Sequence, residues 1–181
     1  DRIKTRAGLA VILSCKPGNQ SMRYSEAYKM AILNNESGKY AANFVQYSPG
    51  PAMSPEFKKM YDTFAKRILW MDGEVVPGAF QMNTAWYSAV PDKDPVFTEH
   101  VHDDADELIG FFSSDPNDPY NLGGEIEYTI DGEAHLLTKT TMIFVPAHVK
   151  HNPMRILRVD RPIFHFSVVT KTSYESESVY K

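Results

Sequence analysis

The chain has 181 residues, of which 43% are apolar and 23% charged, and a net charge of −4. That length suits one core-bearing domain with an appended segment rather than two full domains. Lysines and arginines are scattered, which excludes the basic footprint of a nucleic-acid binder, and no apolar run approaches the roughly 20 residues that span a bilayer. The single cysteine, Cys15, excludes an internal disulfide framework.

In chain order, residues 1–53 alternate short apolar runs with turn-forming clusters at 16–21 and 48–51 and read as an N-terminal arm that wraps the core or a partner. Arg2, Lys4 and Arg6 precede an apolar stretch that ends at Cys15, a pattern loosely similar to a lipoprotein-type leader. The preferred expectation is an ordered strand on a cytoplasmic protein. Within the arm, residues 25–33 suit a short helix and 39–47 a strand. A firmer helix is predicted over 54–71. Ser54 suits its N-cap, Pro55 its first position, and Phe57, Met60, Tyr61, Phe64 and Ile68 recur at helical spacing before Asp72-Gly73 stops it.

From residue 75 the pattern changes to short runs of β-formers, at 78–88, 96–102, 107–112, 125–130, 134–137, 141–145, 154–159 and 162–170. Asp131-Gly132 marks a hairpin turn, and 171–181 form a tail. Many short strands with little intervening helix predict a mainly all-β, antiparallel sandwich or barrel. On the run 78–88, the apolar row Phe80, Met82, Thr84 and Trp86 is expected to face the core. That leaves Gln81, Asn83 and Tyr87 to solvent or an interface; the alternative is that this polar row points inward and orients a substrate. The insertion 113–122, with Asp115-Pro116 and Asp118-Pro119, reads as a lid or a surface loop.

The segment richest in chemistry is Glu99-His-Val-His-Asp-Asp-Ala-Asp-Glu107. Residues two apart on a strand share a face, so His100 and His102 project together, and a turn through Asp103, Asp104 and Asp106 can return Glu107 to the same side. A fourth group, His151, follows the turn-rich stretch Pro146-Ala-His-Val-Lys-His151. Neutral imidazoles with one carboxylate suit one borderline divalent transition metal, namely Fe, Mn, Ni, Co or Zn. The acidic cluster beside them lacks regular oxygen-ligand spacing and reads as a solvated turn.

These residues resemble the two motifs of the cupin superfamily. The first motif is His-x-His followed after three or four residues by Glu, matched by His100, His102 and Glu107; the second is Pro-x-Gly, two residues and His, with Asn common soon after, matched by Pro146, His151 and Asn152. The resemblance covers about residues 75–170. It implies a cupin-type antiparallel β-barrel or jelly roll with His100, His102, Glu107 and His151 as metal ligands, a small-molecule substrate, and pairing into a homodimer. Two features depart from the pattern: the 113–122 insertion, and His148 at the motif glycine. His148 tolerates positive φ and is an alternative ligand.

His165, inside the apolar run Pro162-Ile-Phe-His-Phe-Ser167, is the candidate catalytic group if it faces the cavity; the plainer reading is a hydrogen-bonded strand histidine. Arg155, Arg158 and Arg161 read as surface residues, with a substrate-carboxylate clamp as the alternative. The leading expectation is a metal-dependent enzyme acting on a small, oxygen-rich molecule. Its rivals are a cupin that binds without turnover and an oligomeric structural module.

Overall fold

The computed structural model describes residues 39–93 and 95–172. The leader-like stretch before Cys15, the helix expected at 25–33 and most of the C-terminal tail lie outside them. Ten described elements follow in order: a 3₁₀ turn Ala41–Asn43, α1 Pro55–Phe64, β1 Ala65–Met71, β2 Gln81–Tyr87, β3 Glu107–Ser113, β4 Asn121–Ile130, β5 Glu133–Lys139, β6 Thr141–Val145, β7 His151–Val159 and β8 Ile163–Val169. They form a five-stranded sheet ordered β1-β2-β8-β3-β6 and a three-stranded sheet ordered β5-β4-β7. All pairings are antiparallel. The mainly antiparallel two-sheet fold matches the sequence expectation.

The signals that start and turn these elements are local. Ser54 Oγ accepts from the Phe57 N–H at 3.2 Å with Pro55 next in line, so the cap and first turn of α1 are as the sequence implies. Asp131 and Gly132 both have positive φ, +46° and +81°, which suits the tight twist of the β4–β5 hairpin.

Three expectations are corrected. The helix predicted to residue 71 ends at Phe64. From Ala65 the chain finds a strand partner in β2, and Ile68, counted as helical, is 39% exposed at an irregularity between Arg67 and Leu69. The strand expected at 39–47 is a 3₁₀ turn and irregular chain, anchored where Ser48 C=O accepts from the Trp70 N–H and Arg67 donates to the carbonyls of Pro49 and Pro51. The run 96–102 is no regular strand: two isolated bridges, Phe97 with Met154 and His100 with His151, pin it to β7.

The core between the sheets is built on Phe64, Phe111, Leu122, Ile126 and Ile163, all fully buried, with α1 closing one side through Phe57 and Tyr61. At roughly 25 cal/mol per Å² of apolar surface removed from water, side chains of this size each contribute about 1.5–3 kcal/mol. The outer face of the three-stranded sheet is charged instead. Arg155 pairs with Glu127 at 2.8 Å and Arg158 with Glu125 at 3.0 Å across β7 and β4, so these arginines face outward, away from any substrate. Arg161 packs over Gly123 at φ +72°, where a Cβ would lie 2.4 Å from its side chain.

The strand β2 reverses the expected faces. Gln81, Ala85 and Tyr87 are buried, whereas Phe80 is 58% exposed. The inward row is therefore the one that carries the amides: Asn83 and Tyr87 line a partly polar cavity, and Ala85 and Tyr87 also pack into the core. The outward row Met82, Thr84 and Trp86 continues across the sheet. Register places Met82 beside Val168, then Leu108, then Phe144; Thr84 beside Phe166, then Gly110, then Met142; and Trp86 beside Phe164, then Phe112. This outer face is apolar over four strands.

Candidate metal centre

Three pieces of chain meet at one end of the sheets. The bridge between His100 and His151, with reciprocal N–H···O=C bonds of 3.0 Å, locks the first motif to the start of β7. Glu107 opens β3 on the facing sheet. A third tie comes from Asp106, whose carboxylate accepts from the Ala147 N–H at 2.9 Å while its backbone C=O and N–H engage Thr170 at the end of β8. Asp106 thus fixes the two motif loops against each other. Its sequence context, an acidic turn, conceals that role, because only the tertiary structure brings Ala147 to it.

The outcome is a compact group. His100, His102, Glu107 and His151 each offer a ligand atom within 4.8 Å of the others. The imidazole centroids are 4.2 Å apart for His100 and His151, 5.1 Å for His100 and His102, and 5.3 Å for His102 and His151. His148 lies outside this group. Its side chain is 74% exposed, 3.6 Å from Asp103, and its backbone has φ +66°, the conformation a glycine would take most easily.

Hydrogen bonds orient the rings. His100 Nδ1 lies 3.1 Å from Thr98 C=O and His151 Nδ1 3.0 Å from Val149 C=O. A proton on each Nδ1 satisfies those carbonyls and leaves each Nε2 as a lone-pair donor to a cation. Glu107 Oε2 then sits 2.8 Å from His151 Nε2 and 3.5 Å from His102 Nε2. Glu107 Oε2 and His151 Nε2 are both buried, so without a cation the short contact between them has to be bridged by a proton. Three imidazole nitrogens and a carboxylate oxygen converging in a buried site are the donor set of a divalent cation, which would take the place of that proton. The residues present therefore fit a metal.

Electrostatics runs the same way. Burial alone would raise the Glu107 pKa, but hydrogen bonding and charge from His102 and His151 outweigh it and hold the carboxyl at about 2, so it is ionised at neutral pH. Burial lowers His151 while the Glu107 carboxylate raises it, and the carboxylate prevails. His100 is lowered by burial, against the pull of the Thr98 carbonyl.

Beside this group lies a cavity of about 60 Å³. Glu107, His100, Asn83, Ser167, Arg67 and His165 supply its polar lining; Phe97, Ile109, Phe111 and Met154 are on the apolar side. His165 is sandwiched between Tyr87 and Phe111, with ring centroids 5.0 Å away on each side and interplanar angles of 17° and 26°. Its Nδ1 is 3.1 Å from Gly110 C=O. Burial pushes its pKa down to about 4, against the Gly110 carbonyl and Glu107, so the ring is neutral at neutral pH. The 113–122 insertion leaves the opposite end of β3 from Glu107, about 20 Å along the strand, and is a surface loop rather than a lid over the centre.

Two antiparallel sheets and the segments at one of their ends thus gather three histidines and a glutamate beside a cavity. No family model matches the chain, and no curated protein does. Among solved structures it is similar to a cupin-superfamily sugar phosphate isomerase from Silicibacter pomeroyi, at 16% identity and a TM-score of 0.42 over 69% of this chain and 68% of that one. It is also similar to an RmlC-like cupin from Shewanella frigidimarina, at 16% identity and TM-score 0.35 over 61% and 77%. A predicted oxalate decarboxylase from Thermotoga maritima is similar at 10% identity and TM-score 0.41 over 59% and 78%.

Proposed function

We propose that the chain is a metal-dependent cupin enzyme in which His100, His102, Glu107 and His151 hold one divalent transition ion and a small, oxygen-rich molecule binds beside it. The convergence of the four ligand atoms within 4.8 Å, with His100 and Glu107 on the wall of a partly polar cavity, carries this reading. Four protein ligands leave coordination positions for substrate oxygen, and a bound cation there polarises a carbonyl or carboxylate, or acidifies a bound water. His165 is the proposed catalytic group. Neutral and held by Gly110, it presents its other ring nitrogen as an acceptor for a substrate proton, and its low pKa restricts it to protons already made acidic.

Elemental analysis of the purified protein beside His151→Ala tests the ligand set. Near-stoichiometric Fe, Mn, Ni, Co or Zn in the wild type and its loss in the variant are expected. An empty wild type that stays empty after soaking in these metals sinks the reading. Turnover by the loaded protein separates an enzyme from a binding protein.

A homodimer is the second part of the proposal. Its support is the outer face of the five-stranded sheet, where Met142, Phe144 and Leu108 are 65%, 61% and 37% exposed alongside the half-buried Phe112, Phe164 and Phe166. Such a face is self-complementary under a two-fold axis. The double variant Met142→Glu, Phe144→Glu is expected to sediment as a monomer where the wild type sediments as a dimer; a monomeric wild type at micromolar concentration refutes the pairing.

A further inference from the structure

We propose that the β2–β8 wall of the cavity, through Asn83 and Ser167, is the subsite that selects a small hydroxylated monocarboxylate; this rests on the metal reading above. Asn83 and Ser167 are direct register partners on the inner face of the five-stranded sheet, and both line the cavity that Glu107 and His100 line. The Asn83 Oδ1 is buried with no hydrogen-bond partner. Two positions along the same row, Gln81 is 1% exposed and neither polar atom of its amide has a hydrogen-bond partner. Buried amides are normally satisfied, so the open Asn83 Oδ1 on the cavity wall, next along its row to a second unsatisfied amide, marks where a ligand or its water supplies the missing bond. An amide oxygen only accepts; its complement is a donor such as a hydroxyl, and Ser167 adds a group that both donates and accepts.

Charge and distance narrow the class. Among the described lining residues Glu107 is the one carboxylate and Arg67 the one guanidinium, so a divalent ion leaves the loaded cavity with a net positive charge. In a partly apolar enclosure that excess favours an anion. Gln81, Val169 and Glu107 share one level across β2, β8 and β3, while Asn83, Ser167 and Ile109 share the next level but one along the strands. The two levels are about 7 Å apart, roughly the reach of a short hydroxy acid with its carboxylate at the metal and a hydroxyl at the wall.

Calorimetric titration of cobalt-loaded protein with glycerate, propionate and glycerol tests this, with cobalt content measured before any ligand is added. The wild type is expected to bind glycerate at least about tenfold more tightly than propionate and to bind glycerol far more weakly than glycerate. Asn83→Leu should keep its cobalt and its propionate affinity and lose the preference for glycerate. Ser167→Ala should reduce that preference, and it is read alone if Asn83→Leu fails to fold. Undetectable glycerate binding, equal affinities for glycerate and propionate, glycerol binding as tight as glycerate, or an undiminished preference in the folded variants overturns the subsite. Failure to take up cobalt is a different result, visible in the first assay, and overturns the metal reading together with what rests on it.

Discussion

Glu107→Gln is expected to weaken metal binding by roughly a hundredfold or more while leaving the chain folded. Glutamine matches the shape of glutamate but removes the one anionic ligand, and its amide nitrogen would approach His151 Nε2, now 2.8 Å from Oε2, as a hydrogen-bond donor. Titration against a chelating dye measures the loss, and unchanged affinity would remove Glu107 from the ligand set. The metal-free proteins add a second readout. The Glu107 pKa of about 2 lies below the ordinary carboxyl value near 4.3, so its ionised form stabilises the wild type above that value, and the contribution fades as pH falls through 2. At neutral pH the metal-free variant should therefore be the less stable of the two, and the difference should vanish in strong acid.

The residues around this centre were readable in the sequence for a physical reason. Chelation demands particular side chains at short spacing, and His100, His102 and Glu107 satisfy it within one extended segment, with His151 supplied by a second turn. The structure brings all four together. The α1 cap and the β4–β5 turn were likewise legible, since Ser54-Pro55 and Asp131-Gly132 act through their own backbones. What could not be read is what depends on tertiary partners. β1 was hidden because Phe64 and Ile68 fall at helical spacing, and only the edge of β2 makes strand the better state for residues 65–71. Asp106 looked like one of several solvated acids until folding brought Ala147 within 2.9 Å.

The inverted faces of β2 carry a broader consequence. The rule that the apolar row faces the core assumes a dry interior and a wet exterior. Here Gln81, Asn83 and Tyr87 turn inward, Asn83 and Tyr87 onto the cavity that His100 and Glu107 also line, and Met82 and Trp86 join an apolar outer face. A strand that turns two amides inward and apolar side chains outward is best accommodated when both rows find partners. On the proposals above, the inner row would meet a metal and its substrate and the outer row a second copy, so the proposed function and the proposed homodimer account for one pattern from its two sides.

The metal-independent stability of the protein should fall by about 3 kcal/mol between pH 7 and pH 4 through His165 alone. The ring is buried between Tyr87 and Phe111, and its pKa in the folded chain is about 4, against about 6.5 when unfolded. Above pH 6.5 both states carry a neutral ring and the histidine contributes no slope. As pH falls below that value the unfolded chain takes up a proton that the folded chain refuses, so stability declines until the folded ring itself protonates near pH 4. His165→Gln keeps a donor for the Gly110 carbonyl and has no charge to gain. Urea denaturation of the two metal-free proteins across this range should give curves that diverge below pH 6.5, because acid losses at the metal ligands are common to both and largely cancel in the difference. Parallel curves would mean that His165 protonates freely in the folded state; it would then be a cation at mildly acidic pH, unable to accept a proton from anything bound beside Glu107.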